Sequence, residues 1–237
     1  MYKMNCELEC RMIAQGIHEE IMAYISEHSL EKRAQVLLIE RGNHEEIMAY
    51  IAEEDLCDEA KVALVKRNNH EEIMAYIAED HLSAEARMKL IEQGTHKEVM
   101  TYIKKWGLCD KSCMALIKRG NHMEIMYYVA RNRLPIKVQI ELIKRGNHEE
   151  IMAHVAEYHL SDEAQKTLIE RGNHEEIKRY AVDGIFCDEA QIALIARGNH
   201  EEIMVYIRHD TLSDEAEEAL IKRGNREEIK AYYENMR

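Results

Sequence analysis

The chain is poor in the residues that break helices or link domains. Of its 237 residues one is proline, Pro135, and no glycine- or serine-rich stretch separates one part from another. That excludes a flexible linker between globular halves and leaves few points at which helices must stop. Aromatics make up 6% of the chain, with one Phe, one Trp and twelve Tyr, so tyrosine must serve as the core aromatic. No stretch approaches the 18 apolar residues a membrane span needs, and the first residues have no signal-peptide h-region. A cytoplasmic protein is the expectation. A glycine-rich phosphate loop and a paired nucleophile and base are also missing. The recurring His-Glu-Glu-Ile string lacks the second histidine of a zinc-protease helix. No catalytic residue is expected, and the chain is read as not an enzyme.

What the chain does have is one phrase of 26 residues repeated nine times without insertion or deletion. Its leading apolar residue falls at Met4, Leu30, Leu56, Leu82, Leu108, Leu134, Leu160, Phe186 and Leu212. A fixed period in this range marks a solenoid. Each copy holds two short helical patterns. In the copy that starts at Leu160, Ser161 is a candidate N-cap and Asp162 and Glu163 fill a first turn, where the helix dipole favours negative charge. Ala164, Leu168 and Ile169 then form one apolar face, and Gly172 ends the helix. Asn173 opens the second helix, with Glu176 at capping-box spacing and Ile177, Tyr180 and Ala181 on the apolar face. The glycine recurs at 16, 42, 94, 120, 146, 172, 198 and 224, with Asn68 in the remaining copy. Glycine and asparagine enter left-handed backbone cheaply, so a left-handed cap is expected in every copy. One copy alone buries too little apolar surface to offset the entropy of ordering its backbone; stacking must complete the core.

The fold class expected is all-α, a right-handed α-α superhelix (α-solenoid) of nine 26-residue two-helix repeats, forming one domain over residues 1–237. On this pattern residues 4–237 resemble α-solenoids of the HEAT, armadillo and leucine-rich-repeat-variant kind. The likeness is one of architecture, because the period is shorter than a HEAT or armadillo repeat. It implies a binding scaffold without identifying a partner.

Histidine opens the second helix in eight copies, at 18, 44, 70, 96, 122, 148, 174 and 200, with Arg226 in the ninth. Layers about 10 Å apart cannot bring these imidazoles to one ion. The expectation is structural: a histidine in the tight turn meeting a carbonyl of the adjacent layer. The tyrosines at 24, 50, 76, 102, 128, 180, 206 and 232 are expected in the core and the groove wall. Cys57, Cys109 and Cys187 take the N-cap place where other copies use serine, and Cys6/Cys10 and Cys109/Cys113 are spaced four apart. Cys57 and Cys109 lie two layers apart, roughly 20 Å and too far for a disulfide, and nothing nearby completes a metal site. Free thiols, no metal and no cofactor are expected.

Departures from the phrase cluster mid-chain. Between residues 97 and 145 eleven cations face four anions, a balance of +7 in a chain whose net charge is −13. Lys97 and Met123 replace an acidic residue, Thr101 and Tyr127 a small one, and Lys104, Lys105 and Trp106 stand where other copies read Ala-Glu. Arg131, Arg133 and Lys137 continue the run around Pro135. Lys97, Lys104, Lys105, Trp106, Tyr127, Arg131, Arg133 and Lys137 are the candidate partner-binding residues, since Arg, Trp and Tyr are enriched at binding hot spots. The functional expectation is a protein–protein interaction scaffold with this basic, aromatic patch as anchor for a protein or peptide, acidic or phosphorylated. The alternatives are nucleic-acid binding through the same patch, which the acidic net charge disfavours, and a spacer or self-assembling rod. No membrane partner is expected. The more polar last copy, with Glu217, Glu218 and Arg226, favours a monomer.

Overall fold

The structure, a computed structural model, describes residues 5–236; the first leading residue, Met4, lies outside them. The described residues hold eighteen α-helices and no strand, two helices to each copy of the phrase. The chain divides into two compact units, one running to Arg119 and the other from Gly120. The first contains α1 (Cys6–Gln15), α2 (His18–Ile25), α3 (Lys32–Arg41), α4 (His44–Glu53), α5 (Asp58–Arg67), α6 (His70–Glu79), α7 (Ala84–Gln93), α8 (His96–Trp106) and α9 (Asp110–Arg119). The second contains α10 (His122–Val129), α11 (Ile136–Arg145), α12 (His148–Val155), α13 (Asp162–Arg171), α14 (His174–Asp183), α15 (Asp188–Arg197), α16 (His200–His209), α17 (Asp214–Arg223) and α18 (Arg226–Asn235). Within each unit every first helix packs on the first helix of the next copy, and every second helix on the next second helix. Each unit is therefore a helical solenoid.

The residues that recur are the residues that are buried. Ala34, Leu38 and Ile39 of α3 and Ile47 and Tyr50 of α4 are sealed from solvent, as are their counterparts Ala164, Leu168, Ile177 and Tyr180. Each buried tyrosine removes a ring's worth of apolar surface from water, about 2–3 kcal/mol. Tyrosine at this place is core throughout rather than groove wall. His154 takes it in α12 and is equally buried, with its ring stacked on Tyr158.

The caps form as the phrase implies, with one difference. Asn43, Asn121, Asn147, Asn173 and Asn199 each accept the backbone N–H of the glutamate three residues on. Pro135 is an N-cap, and Cys57 and Cys187 occupy N-cap places without a side-chain cap bond. The left-handed turn is not universal. Asn68 and Gly120, Gly146, Gly172, Gly198 and Gly224 have positive φ, but Gly16, Gly42 and Gly94 are extended, with φ near −71°, −60° and −66°. At Gly42 close approach is what demands glycine: a Cβ there would collide with the Leu38 carbonyl and press on the Glu46 carboxylate.

Candidate functional site

The recurring polar residues join one copy to the next. In seven places a histidine Nδ1 meets the carboxylate of the buried glutamate 28 residues on: His18–Glu46, His44–Glu72, His70–Glu98, His122–Glu150, His148–Glu176, His174–Glu202 and His200–Glu228, at 2.8–3.1 Å. The expectation that histidine meets a carbonyl of the adjacent layer is thus corrected: its partner there is a carboxylate. The reason is geometric. The glutamate sits at N3 of the next second helix, so stacking sets its side chain beside the preceding histidine. The Nε2 of His18, His44, His122, His174 and His200 reaches the exposed glutamate at N2 of that same helix, at 2.9–3.7 Å. At His18 and His174 the two carboxylates favour the imidazolium. The bond to Glu46 and the neighbouring charge of Glu45 raise the His18 pKa, and the bonds to Glu202 and Glu201 raise that of His174. His154 moves the other way, lowered by its burial.

The glutamate's second oxygen finds one of two partners, and the choice follows the turn. Where Gly42 and Gly94 are extended, it accepts the backbone N–H of the N-cap residue, from Asn43 to Glu46 at 3.1 Å and from Thr95 to Glu98 at 2.7 Å, closing a capping box. Where residue 68, 146, 172, 198 or 224 is left-handed, it pairs with the arginine that ends the first helix. These pairs are Arg67–Glu72, Arg145–Glu150, Arg171–Glu176, Arg197–Glu202 and Arg223–Glu228, at 2.6–3.2 Å. Four of those arginines also donate to a turn glycine carbonyl of the preceding copy: Arg145 to Gly120, Arg171 to Gly146, Arg197 to Gly172 and Arg223 to Gly198, at 2.7–2.9 Å. A Cβ on Gly172 would collide with the Arg197 guanidinium, so glycine is needed there for clearance as well as for its φ of +78°.

A second stitch runs through the first helices. Gln35 donates to the Leu30 carbonyl and the Tyr50 hydroxyl and accepts from the Cys57 N–H; Gln165 does the same with Leu160, Tyr180 and Cys187. In the third copy Lys61 takes the glutamine's place, ion-paired to Asp80 at 3.0 Å, and Asp80 also accepts from Tyr76 at 2.5 Å. Burial alone would raise the Asp80 pKa; the bonds from Tyr76, Lys61 and the His81 N–H outweigh it and hold the carboxyl well below the usual range. Sequence reading missed this stitch, because the position varies among glutamine, lysine, arginine, cysteine and glutamate.

The candidate binding residues divide between the units. In the first, Lys97 is exposed on the first turn of α8, and Lys104 and Lys105 are exposed on its last. Trp106 is 36% exposed and donates its indole N–H to the Ile77 carbonyl at 2.8 Å, while Lys105 lies over the ring at 4.8 Å and bonds to the Ala78 carbonyl. Tryptophan and lysine thereby cover carbonyls that the C-terminal turn of α6 leaves without helical partners. Lys97 replaces the exposed glutamate that other copies offer to the preceding histidine, and His70 pairs with Glu98. In the second unit Tyr127 is half-buried on α10 with the Arg131 guanidinium 4.3 Å over its ring, and Arg133 and Lys137 are exposed. The six cysteines are free thiols, and no cluster of three or more His, Cys, Asp or Glu suited to a metal occurs among the described residues. Among the described residues no helix is long and apolar enough to cross a membrane. No family model, curated protein or solved structure matches this chain.

Proposed function

We propose that this helical solenoid is a non-enzymatic protein–protein interaction scaffold. The observation that carries the reading is how its polar residues are used. Recurring His, Glu, Arg and Gln side chains bond from one copy to the next, while the outward face of α2, α4, α6, α8, α10 and α12 keeps a half-buried methionine at one place. Met22, Met48 and Met74 lie in the first unit and Met126 and Met152 in the second, with Ala49, Ala75 and Ala153 beside them. A surface of that kind offers contact area and no reaction centre. Methionine adapts to different apolar partners, which suits a docking face.

The basic residues of each unit serve as an anchor for an acidic or phosphorylated segment, Lys97 and Lys104 in the first and Arg133 and Lys137 in the second. Exposed Lys97, Lys104, Arg133 and Lys137 supply the charge. Trp106 and Tyr127, each braced by a cation over its ring, are rigid contact platforms. The test is affinity capture with the native chain and with a Lys97/Lys104/Arg133/Lys137→Glu variant, with and without nuclease. A protein partner held by the native chain and lost from the variant is the expected result. Capture that nuclease abolishes would replace this reading with nucleic-acid binding, and identical capture by both chains would remove the basic residues from the site.

A further inference from the structure

The scaffold reading concerns basic residues as anchor, but the first unit also carries a surface of opposite charge. On α2, α4 and α6 the residues facing outward fall at i, i+3, i+4 and i+7, one stripe of a helix. On α4 they are Glu45, Met48, Ala49 and Ala52, and on α6 Glu71, Met74, Ala75 and Ala78. The methionines of the three helices and the first alanine of α4 and of α6 are half-buried, forming an apolar floor. Carboxylates rise on both sides of it. Glu45 and Glu71 have side chains 74% and 78% exposed, each with one oxygen turned to the Nε2 of the preceding His18 or His44, and Glu53 and Glu79 are exposed at the far end of the same helices. Between α2 and α4 the floor opens into a hollow of about 540 Å³, with Met22, Ala49 and Ala52 below and Glu53 and Glu54 at the rim.

We infer that the α2–α4–α6 face of the first unit docks a basic, apolar-containing peptide segment of a partner protein, whose Lys or Arg side chains reach the two carboxylate rows while its apolar side chains seat between the methionines. The inference rests on the scaffold reading and names the partner's chemistry at a different face. Charge complementarity selects the occupant: an acidic segment would meet like charge on both sides of an apolar floor, whereas lysine and arginine lay their aliphatic stems on that floor and carry their charges to its edges. The face also has an end. On α8 the place held by Glu45 and Glu71 is taken by Lys97, and Lys104 follows at the other end of that stripe. The charge sign therefore reverses after α6, which gives the bound segment a direction, with its basic part over α2–α6 and any acidic residue towards α8. The corresponding hollow in the second unit lacks this pattern, since Lys178 and Arg208 stand among Glu201 and Glu227 around Met204.

The test uses the full chain and three fluorescent peptides of equal length: one of Lys and Leu, one of Glu and Leu, and one of Lys and Ser. The Lys/Leu peptide is expected to bind with an affinity that falls as salt is raised, and the other two to bind at least about tenfold more weakly. Glu53→Lys with Glu79→Lys is expected to weaken the Lys/Leu peptide by about tenfold or more, since each attraction becomes a repulsion. Met48→Gln with Met74→Gln should weaken it without changing its salt dependence. Helix content by circular dichroism checks each variant, and Glu53→Gln with Glu79→Gln replaces the reversal if that variant unfolds. Equal binding of the Glu/Leu peptide, or a Lys/Leu affinity indifferent to the glutamate changes, overturns the inference. If the native chain captures a partner through Lys97 and Lys104 yet ignores the Lys/Leu peptide, this inference fails and the scaffold reading stands; if it captures no partner and binds no peptide, both fail.

Discussion

The two units build the same phrase with a different mix of turns, the first holding one left-handed turn, at Asn68, among extended ones. In the second, every described turn between the helices of a copy is left-handed and, from Gly146 on, the buried glutamate is clamped between an arginine of its own copy and a histidine of the preceding one. In the first, turns at Gly16, Gly42 and Gly94 are extended, and Glu46 and Glu98 cap their own helices instead. The N-cap backbone follows: ψ is 169° at Asn43 and 158° at Thr95, but 110–117° at Asn69, Asn121, Asn147, Asn173, Asn199 and Asn225. Arginine identity alone does not decide the turn, because Arg41 precedes the extended Gly42. What the difference teaches is that a buried carboxylate admits more than one full set of partners, and the backbone adopts the turn that brings the chosen set within reach.

The sharpest way to break this comparison is to remove the carboxylate in each unit. Glu202→Ala strips two charged partners of a buried anion and should cost about 3 kcal/mol, the lower end for a broken buried pair because Arg197 and His174 are partly exposed. Glu46→Ala loses a capping bond and one histidine and should cost about 1–2 kcal/mol. Urea midpoints read both; equal losses would show that the turn type carries no energetic weight. Next in size, Gly172→Ala forces a side chain into left-handed backbone under the Arg197 guanidinium and should cost about 2 kcal/mol, while Asn68→Gly should stabilise by under about 1 kcal/mol. Thermal unfolding measures these shifts.

Stability against pH separates His18 and His174 of the ladder from buried His154, which stands in the tyrosine series. His18 and His174 have folded-state pKa values above the ordinary 6.5, so their contribution is complete below pH 6.5 and is lost as the pH rises through the raised values. His154 has a lowered value, so its contribution is present above 6.5 and is lost as the pH falls. His154→Tyr, which restores the residue common at that place, is expected to abolish the loss on the acid side while leaving the alkaline loss intact. Denaturation midpoints between pH 5 and 8 check the two signs. The smallest effect expected is from Lys97→Glu, which offers His70 the second carboxylate that His18 and His44 already have; a rise of about 1 °C in Tm is the expected outcome.

Much of the fold was legible because local rules repeat. Gly172 and Asn173 mark where one helix stops and the next starts, and Leu168, Ile169, Ile177 and Tyr180 mark what is buried. The histidine's partner was not legible from its own neighbourhood, since Glu46 lies 28 residues beyond His18. One signal pointed to it: a capping box accepts glutamine as well as glutamate, yet all nine copies use glutamate. The basic residues were visible as a charge island, but the engagement of Trp106 and Lys105 with the end of α6 appears only when copies are stacked.

The sequence by itself determined the period, the pairing of helices within each copy, the residues that make the core and the copies that depart from the phrase, because these depend on side-chain spacing and backbone propensity within a few residues. The tertiary structure alone decided which turn each copy adopts and which groups its buried glutamate holds. A phrase repeated nine times carries nearly the same local information in every copy, so differences of that kind arise from what each copy packs against.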